Sequence, residues 1–203
     1  MNLILIHIGK CGGGTVREEM SKKGIKHHVI HTNKAKYNPN GRYIILIRNP
    51  VERFVSSFYW RKMKTVAEKD GSLDENRFYR RYKNINSLCR DLSRDSRLLQ
   101  KMGVDEHITH DINFYLDKFI KQCPRKHILG VICTETINKD LKRFFNINNK
   151  RHKKDNSKMK HDLTDESRTI LRKYLVKDYN IIDKLNKMGL LSEEQYKLLI
   201  PPT

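Results

Sequence analysis

Apolar residues along this chain follow two rhythms. Short apolar runs rich in β-branched residues cover residues 2–8, 25–31, 43–47 and 127–133, and each is predicted as a strand. The run 43–47 is apolar throughout, as suits a central strand of a parallel sheet. Between these runs the apolar spacing is helical. A helix is predicted over 15–23, stopped by Gly24, and another opens at Asn49-Pro50, where proline suits the first helical position. The pattern breaks over 65–71, then helices resume at 73–82, 85–102 and 105–122, where Ile108, Ile112, Leu116, Phe119 and Ile120 keep helical spacing. Further helices are predicted at 134–145, at 164–188 with an interruption near Asp178, and at 192–200, opened by a capping box of Ser192 and Gln195. Segments 34–42 and 146–162 carry loop chemistry. Strands alternating with helices predict an α/β fold: one domain over 1–203, a central parallel sheet in a three-layer arrangement, and a helical insertion at about 65–125.

Composition changes this picture in one respect. The chain of 203 residues is long enough for a real core, and 37% of it is hydrophobic. Against 23 Asp and Glu stand 42 Lys and Arg, a formal charge of +19 that calls for a polyanionic partner without choosing one. Cys11, Cys89, Cys123 and Cys133 show neither a CxxC pair nor metal-ligand spacing, so reduced thiols are expected. The apolar run Leu3 to Ile6 is too short for a signal peptide or a membrane span. A cytoplasmic chain without a membrane span is therefore expected.

Two segments carry chemistry. The first predicted strand runs into Gly9-Lys10-Cys11-Gly12-Gly13-Gly14-Thr15 and then a helix. Glycines let backbone N–H groups approach an anion, and the helix N-terminus adds partial positive charge. A Walker A loop places its lysine directly after the last glycine, whereas here Thr15 follows Gly14 and Lys10 opens the loop. The second segment is Arg48-Asn49-Pro50-Val51-Glu52-Arg53-Phe54-Val55-Ser56. Arg48 is predicted at the C-terminal end of a central strand, where open α/β sheets bind ligands. Arg53 and Ser56 follow on the helix, and a guanidinium and a hydroxyl together suit a phosphate.

Together the two segments resemble those of sulfotransferases that use 3′-phosphoadenylyl sulfate (PAPS), especially the branch of the heparan-sulfate 2-O- and 6-O-sulfotransferases with small bacterial and viral relatives. Residues 6–15 look like the family's 5′-phosphosulfate loop, a hydrophobic strand followed by PKTGGT or similar, and residues 48–56 look like its 3′-phosphate motif, RxPxxRxxS. Gly9 replaces the usual proline, and Cys11 takes a usual Thr or Ser position. The resemblance is strong over 3–60 and weak but compatible beyond. It implies a P-loop-like fold, PAPS as co-substrate and no metal. Lys10 would neutralise the leaving phosphate, and Cys11, Gly12, Gly13, Gly14 and Thr15 would line the loop. Arg48 and Ser56 would hold the 3′-phosphate.

A base must take the acceptor proton. His31, ending the second predicted strand, ranks first, with His27 and His28 as rivals and His7 as a structural residue. The run Lys150 to Lys160 carries six Lys and Arg against one Asp, and either closes over the nucleotide or stays a solvated loop. Arg61, Lys62 and Lys64 are placed to border an acceptor cleft. The expected reaction is sulfuryl transfer to a hydroxyl of a carbohydrate or small molecule, or to an amine. A nucleotide or nucleoside kinase with a variant P-loop lacks the lysine after Gly14 and an evident Mg²⁺-binding Asp. A basic nucleic-acid-binding module would use the charge, but no helix-turn-helix, zinc or RNP signature is present.

Overall fold

The computed structural model describes residues 2–31, 33–104, 106–148 and 163–200, with the backbone alone at 106 and 107. Among them are four strands: β1 (Asn2–His7), β2 (His28–Ile30), β3 (Gly41–Ile47) and β4 (Ile128–Cys133). They form one sheet in the order β2-β1-β3-β4, parallel at every pairing. The protein is therefore an α/β protein built on a parallel sheet.

Helix α1 (Gly13–Lys22) joins β1 to β2. Between β3 and β4 run α2 (Pro50–Ala67), α3 (Leu73–Arg81), α4 (Ile85–Arg94), α5 (Leu98–Lys101), α6 (Glu106–Thr109) and α7 (Ile112–Gln122). After β4 come α8 (Ile137–Phe145), α9 (Asp165–Tyr174), α10 (Val176–Lys187) and α11 (Glu193–Leu199).

The strand register assigns each helix to a face, because alternate residues of a strand point to opposite sides. Tyr43 is paired with Ile4, and its ring meets Phe119 of α7 at 4.7 Å. The next pair along, Ile44 with Gly130, faces the other way, and there Phe144 of α8 leaves no room for a Cβ on Gly130. Helix α1 lies on the α8 side, since Gly13 packs on the ring of His7, which is in register with Leu46. Helices thus cover both faces, α1 with α8 and α7 with α10.

Two apolar cores result. The first holds the strands with Met20, Ile112, Leu116, Phe119, Ile182 and Leu185. The second lies among α2, α3, α4 and α9, around Phe54, Phe58, Phe78, Leu88 and Leu171. Of the expected insertion, α3 and α4 build this second core, whereas α7 belongs to the sheet.

Two of the long helices expected from periodicity are broken, each at an aspartate. Asp95 Oδ1 accepts from Arg97 N–H at 3.0 Å, ending α4 before α5. Asp111 caps α7, its Oδ1 accepting from Phe114 N–H at 2.6 Å. The interruption expected near Asp178 in 164–188 falls at Leu175. Helix α2 continues through 65–67 before ending, and α1 starts two residues earlier than expected, at Gly13. No helix among the described residues is long and apolar enough to cross a membrane.

Candidate functional site

The connection leaving β1 crosses to β2, and the connection leaving β3 crosses the other way to β4. Neighbouring strands whose connections diverge leave a crevice between their C-terminal ends, the usual ligand position in such sheets. The loop after β1 and Arg48 after β3 both lie at this crevice. They are joined directly: Arg48 Nη1 donates to the carbonyl of Lys10 at 3.4 Å, across 38 residues of sequence.

The loop is shaped by two residues in the left-handed region, Lys10 with φ 67° and Gly12 with φ 74°. The second is easy for glycine, and the first is uncommon for a lysine. Helix α1 opens with Gly12 at its N-cap, and its first internal bond is Val16 N–H to Gly12 O at 3.2 Å. The N–H groups of Gly13, Gly14 and Thr15 precede that bond and point out of the helix end. The three glycines have different surroundings. A Cβ on Gly12 would meet Ile137 at 3.0 Å, and one on Gly13 would lie 2.0 Å from the His7 ring. A Cβ on Gly14 would meet nothing within 4 Å, so this residue faces open space.

Cys11 serves the loop's interior. Its N–H donates to Ile8 O at 3.2 Å, its buried thiol leans on Gly9 O at 3.8 Å, and burial pushes the thiol up to about 12. Both of its donors are therefore engaged within the loop. Arg53, fully buried, donates from Nη1 to Gly9 O at 3.3 Å. It props the loop from beneath rather than lining the crevice, a role that the sequence did not signal.

Ser56 is 8% exposed on α2, and Trp60, one helical turn further on, is half-buried on the same helix face. The ammonium of Lys10 sits 4.7 Å from the centre of the Trp60 ring. Glu135, in the turn after β4, accepts from Asn49 N–H at 2.9 Å. Although Glu135 as a residue is exposed, its carboxyl turns in to Asn49; burial raises its pKa, and Asn49 and Arg48 oppose the rise.

His31 follows β2 and stacks on His7, with ring centroids 4.1 Å apart and planes 9° from parallel. Its Nδ1 donates to the His7 carbonyl at 2.8 Å. That bond fixes the tautomer, because a carbonyl only accepts, and the neutral ring carries its lone pair on Nε2. His31, His7 and Gly13 thus form one stack beside the open end of α1. His27 instead bonds Ile25 O at 2.9 Å and borders an open groove of about 470 Å³, lined also by Gly14, Arg17, Glu18, Ser21 and Val29. His28 is paired with Ile4 and so belongs to the opposite, α7 face. Arg61 is taken by Glu75, at 2.6 and 2.8 Å, within the helical insertion. The basic run 150–160 lies outside the described residues.

The fold and this site define a class: an α/β protein with a cationic, glycine-lined crevice at the switch point of a parallel sheet. No protein-family model matches the sequence, and neither a curated protein nor a solved structure is matched by it.

Proposed function

We propose that this chain is a PAPS-dependent sulfotransferase with a P-loop-like arrangement of its first strand, glycine loop and helix. The observation that carries the proposal is the bond from Arg48 to the Lys10 carbonyl, which brings two distant motifs to one crevice. An anion donor with charge at both ends suits it. The N–H groups of Gly13, Gly14 and Thr15 and the Lys10 ammonium take the 5′-phosphosulfate. Arg48, with Ser56 on the following helix, takes the 3′-phosphate, the group that separates PAPS from ATP.

In the reaction, the acceptor oxygen or nitrogen attacks sulfur while the bond from sulfur to the 5′-phosphate oxygen breaks. His31 Nε2 receives the acceptor proton, its ring held by the His7 carbonyl. Lys10 neutralises the charge that gathers on the departing phosphate oxygen. The products are a sulfated acceptor and adenosine 3′,5′-bisphosphate. A carbohydrate or small-molecule hydroxyl is the acceptor that the proposal favours.

A screen of acceptors with labelled PAPS tests this. Transfer of label to one acceptor class is expected in the wild type. Lys10→Ala should lower turnover at least about a hundredfold, as losing a charge-stabilising donor does, and should weaken nucleotide binding less than that, by up to about thirtyfold. Arg48→Ala should chiefly weaken the nucleotide, by about tenfold or more for a charged hydrogen bond. Equal and small effects of the two substitutions would overturn the assignment of roles.

A further inference from the structure

The α2 helix does more at the crevice than carry Ser56. Its next turn brings the Trp60 ring beneath the Lys10 ammonium, at 4.7 Å from the centroid. Lys10 starts from a left-handed backbone at φ 67°, so the direction of its side chain is set by the loop and by whatever receives it. The electron-rich face of an indole is the best aromatic seat for an ammonium. It also holds the cation without adding a negative charge that would repel an incoming anion. A carboxylate in that place would hold Lys10 as well, but would cancel part of the field the anion is drawn to.

We propose that Trp60 is the positioning residue for Lys10, orienting its ammonium across the crevice for the anionic nucleotide. Ser56 and Trp60 lie on one face of α2, so a single helix places the lysine and presents the hydroxyl on the 3′-phosphate side. The nucleotide part of this inference rests on the sulfotransferase proposal; the contact between lysine and indole does not.

Trp60 is the sole tryptophan of the chain, so its emission reports this one place. In the ligand-free protein, Lys10→Met should change the Trp60 emission spectrum, whereas Lys62→Met, on the same helix as Trp60, should leave it nearly as it was. Adenosine 3′,5′-bisphosphate should shift the emission of the wild type with the same dissociation constant that calorimetry gives. Trp60→Leu should weaken that binding about two- to thirtyfold, the range that such cation–π contacts span, while Trp60→Phe, keeping a π-face, should recover most of the loss. An unchanged spectrum in ligand-free Lys10→Met would overturn the contact. Equal affinities of Trp60→Leu, Trp60→Phe and wild type would overturn the positioning role. Should the bisphosphate fail to bind the wild type at all, the nucleotide role falls with the sulfotransferase proposal, and the ligand-free spectra still decide the contact.

Discussion

Gly12, Gly13 and Gly14 look interchangeable in the sequence and are not. Gly12 supplies a left-handed turn, Gly13 makes room for the His7 ring, and Gly14 leaves space open above the helix end. Gly13→Ala should therefore destabilise the protein by about 1–3 kcal/mol, as overpacking does, through an imidazole that stacks on His31 and cannot retreat freely. Gly14→Ala meets no atom and gains helix propensity, so it should leave stability level or raise it by up to about 1 kcal/mol. Urea unfolding of the two variants checks this, and equal losses would refute the distinction. The strand, loop and helix of this segment were legible, because an apolar run, three glycines and a helical pattern suffice to state them. The separate task of each glycine was not, since it depends on His7 and Ile137, which only the folded sheet brings near. Arg53 shows the same limit: its place in RxPxxRxxS suggests a phosphate ligand, yet its guanidinium turns inward to the Gly9 carbonyl.

At the scale of elements, the strands and most helices followed from apolar rhythm, and the misreadings cluster at aspartates. Periodicity carries across Asp95 and Asp111 because the apolar positions stay nearly in phase. Each carboxylate nevertheless captures a backbone N–H and ends or starts a helix. Asp178 does so between elements. Fully buried on α10, it accepts from Asn113 N–H of α7 at 2.9 Å, and its Oδ2 has no hydrogen-bond partner among the described residues. Burial, with the neighbouring charge of Asp111, pushes its pKa up to about 7, against the pull of Arg53. A carboxyl raised in this way holds its proton more tightly folded than unfolded. Its contribution to stability is therefore fully present at low pH and lost as pH rises from about 4 to about 7. Asp178→Asn should lack this decline. Between those pH values the wild-type Tm should fall relative to the variant by at least about 2 °C, the shift that about 1 kcal/mol produces in a chain of this size. Parallel Tm curves would contradict the assignment.

On the scale of the whole molecule, alternating strands and helices were enough to predict a parallel α/β sheet. The order β2-β1-β3-β4 was not readable, because nothing in a strand's own residues names its neighbours. That order creates the crevice, by sending the connections after β1 and β3 in opposite directions. The second core, formed where α9 returns to α2, α3 and α4, was also hidden, since it joins segments about a hundred residues apart. The charge of +19 belongs to this scale as well. Such a charge favours polyanions without distinguishing among them, and in the sulfotransferase proposal the crevice makes the selection. Discrimination between nucleotides is thus the property that matters most. The direct measurement is a calorimetric titration of the wild-type protein with adenosine 3′,5′-bisphosphate and, separately, with ATP and Mg²⁺, at near-physiological salt. The sulfotransferase proposal predicts saturable one-to-one binding of the bisphosphate, weakened about tenfold or more by Arg48→Ala, and no comparable binding of ATP. Tight binding of ATP or of an oligonucleotide, with none of the bisphosphate, would contradict it.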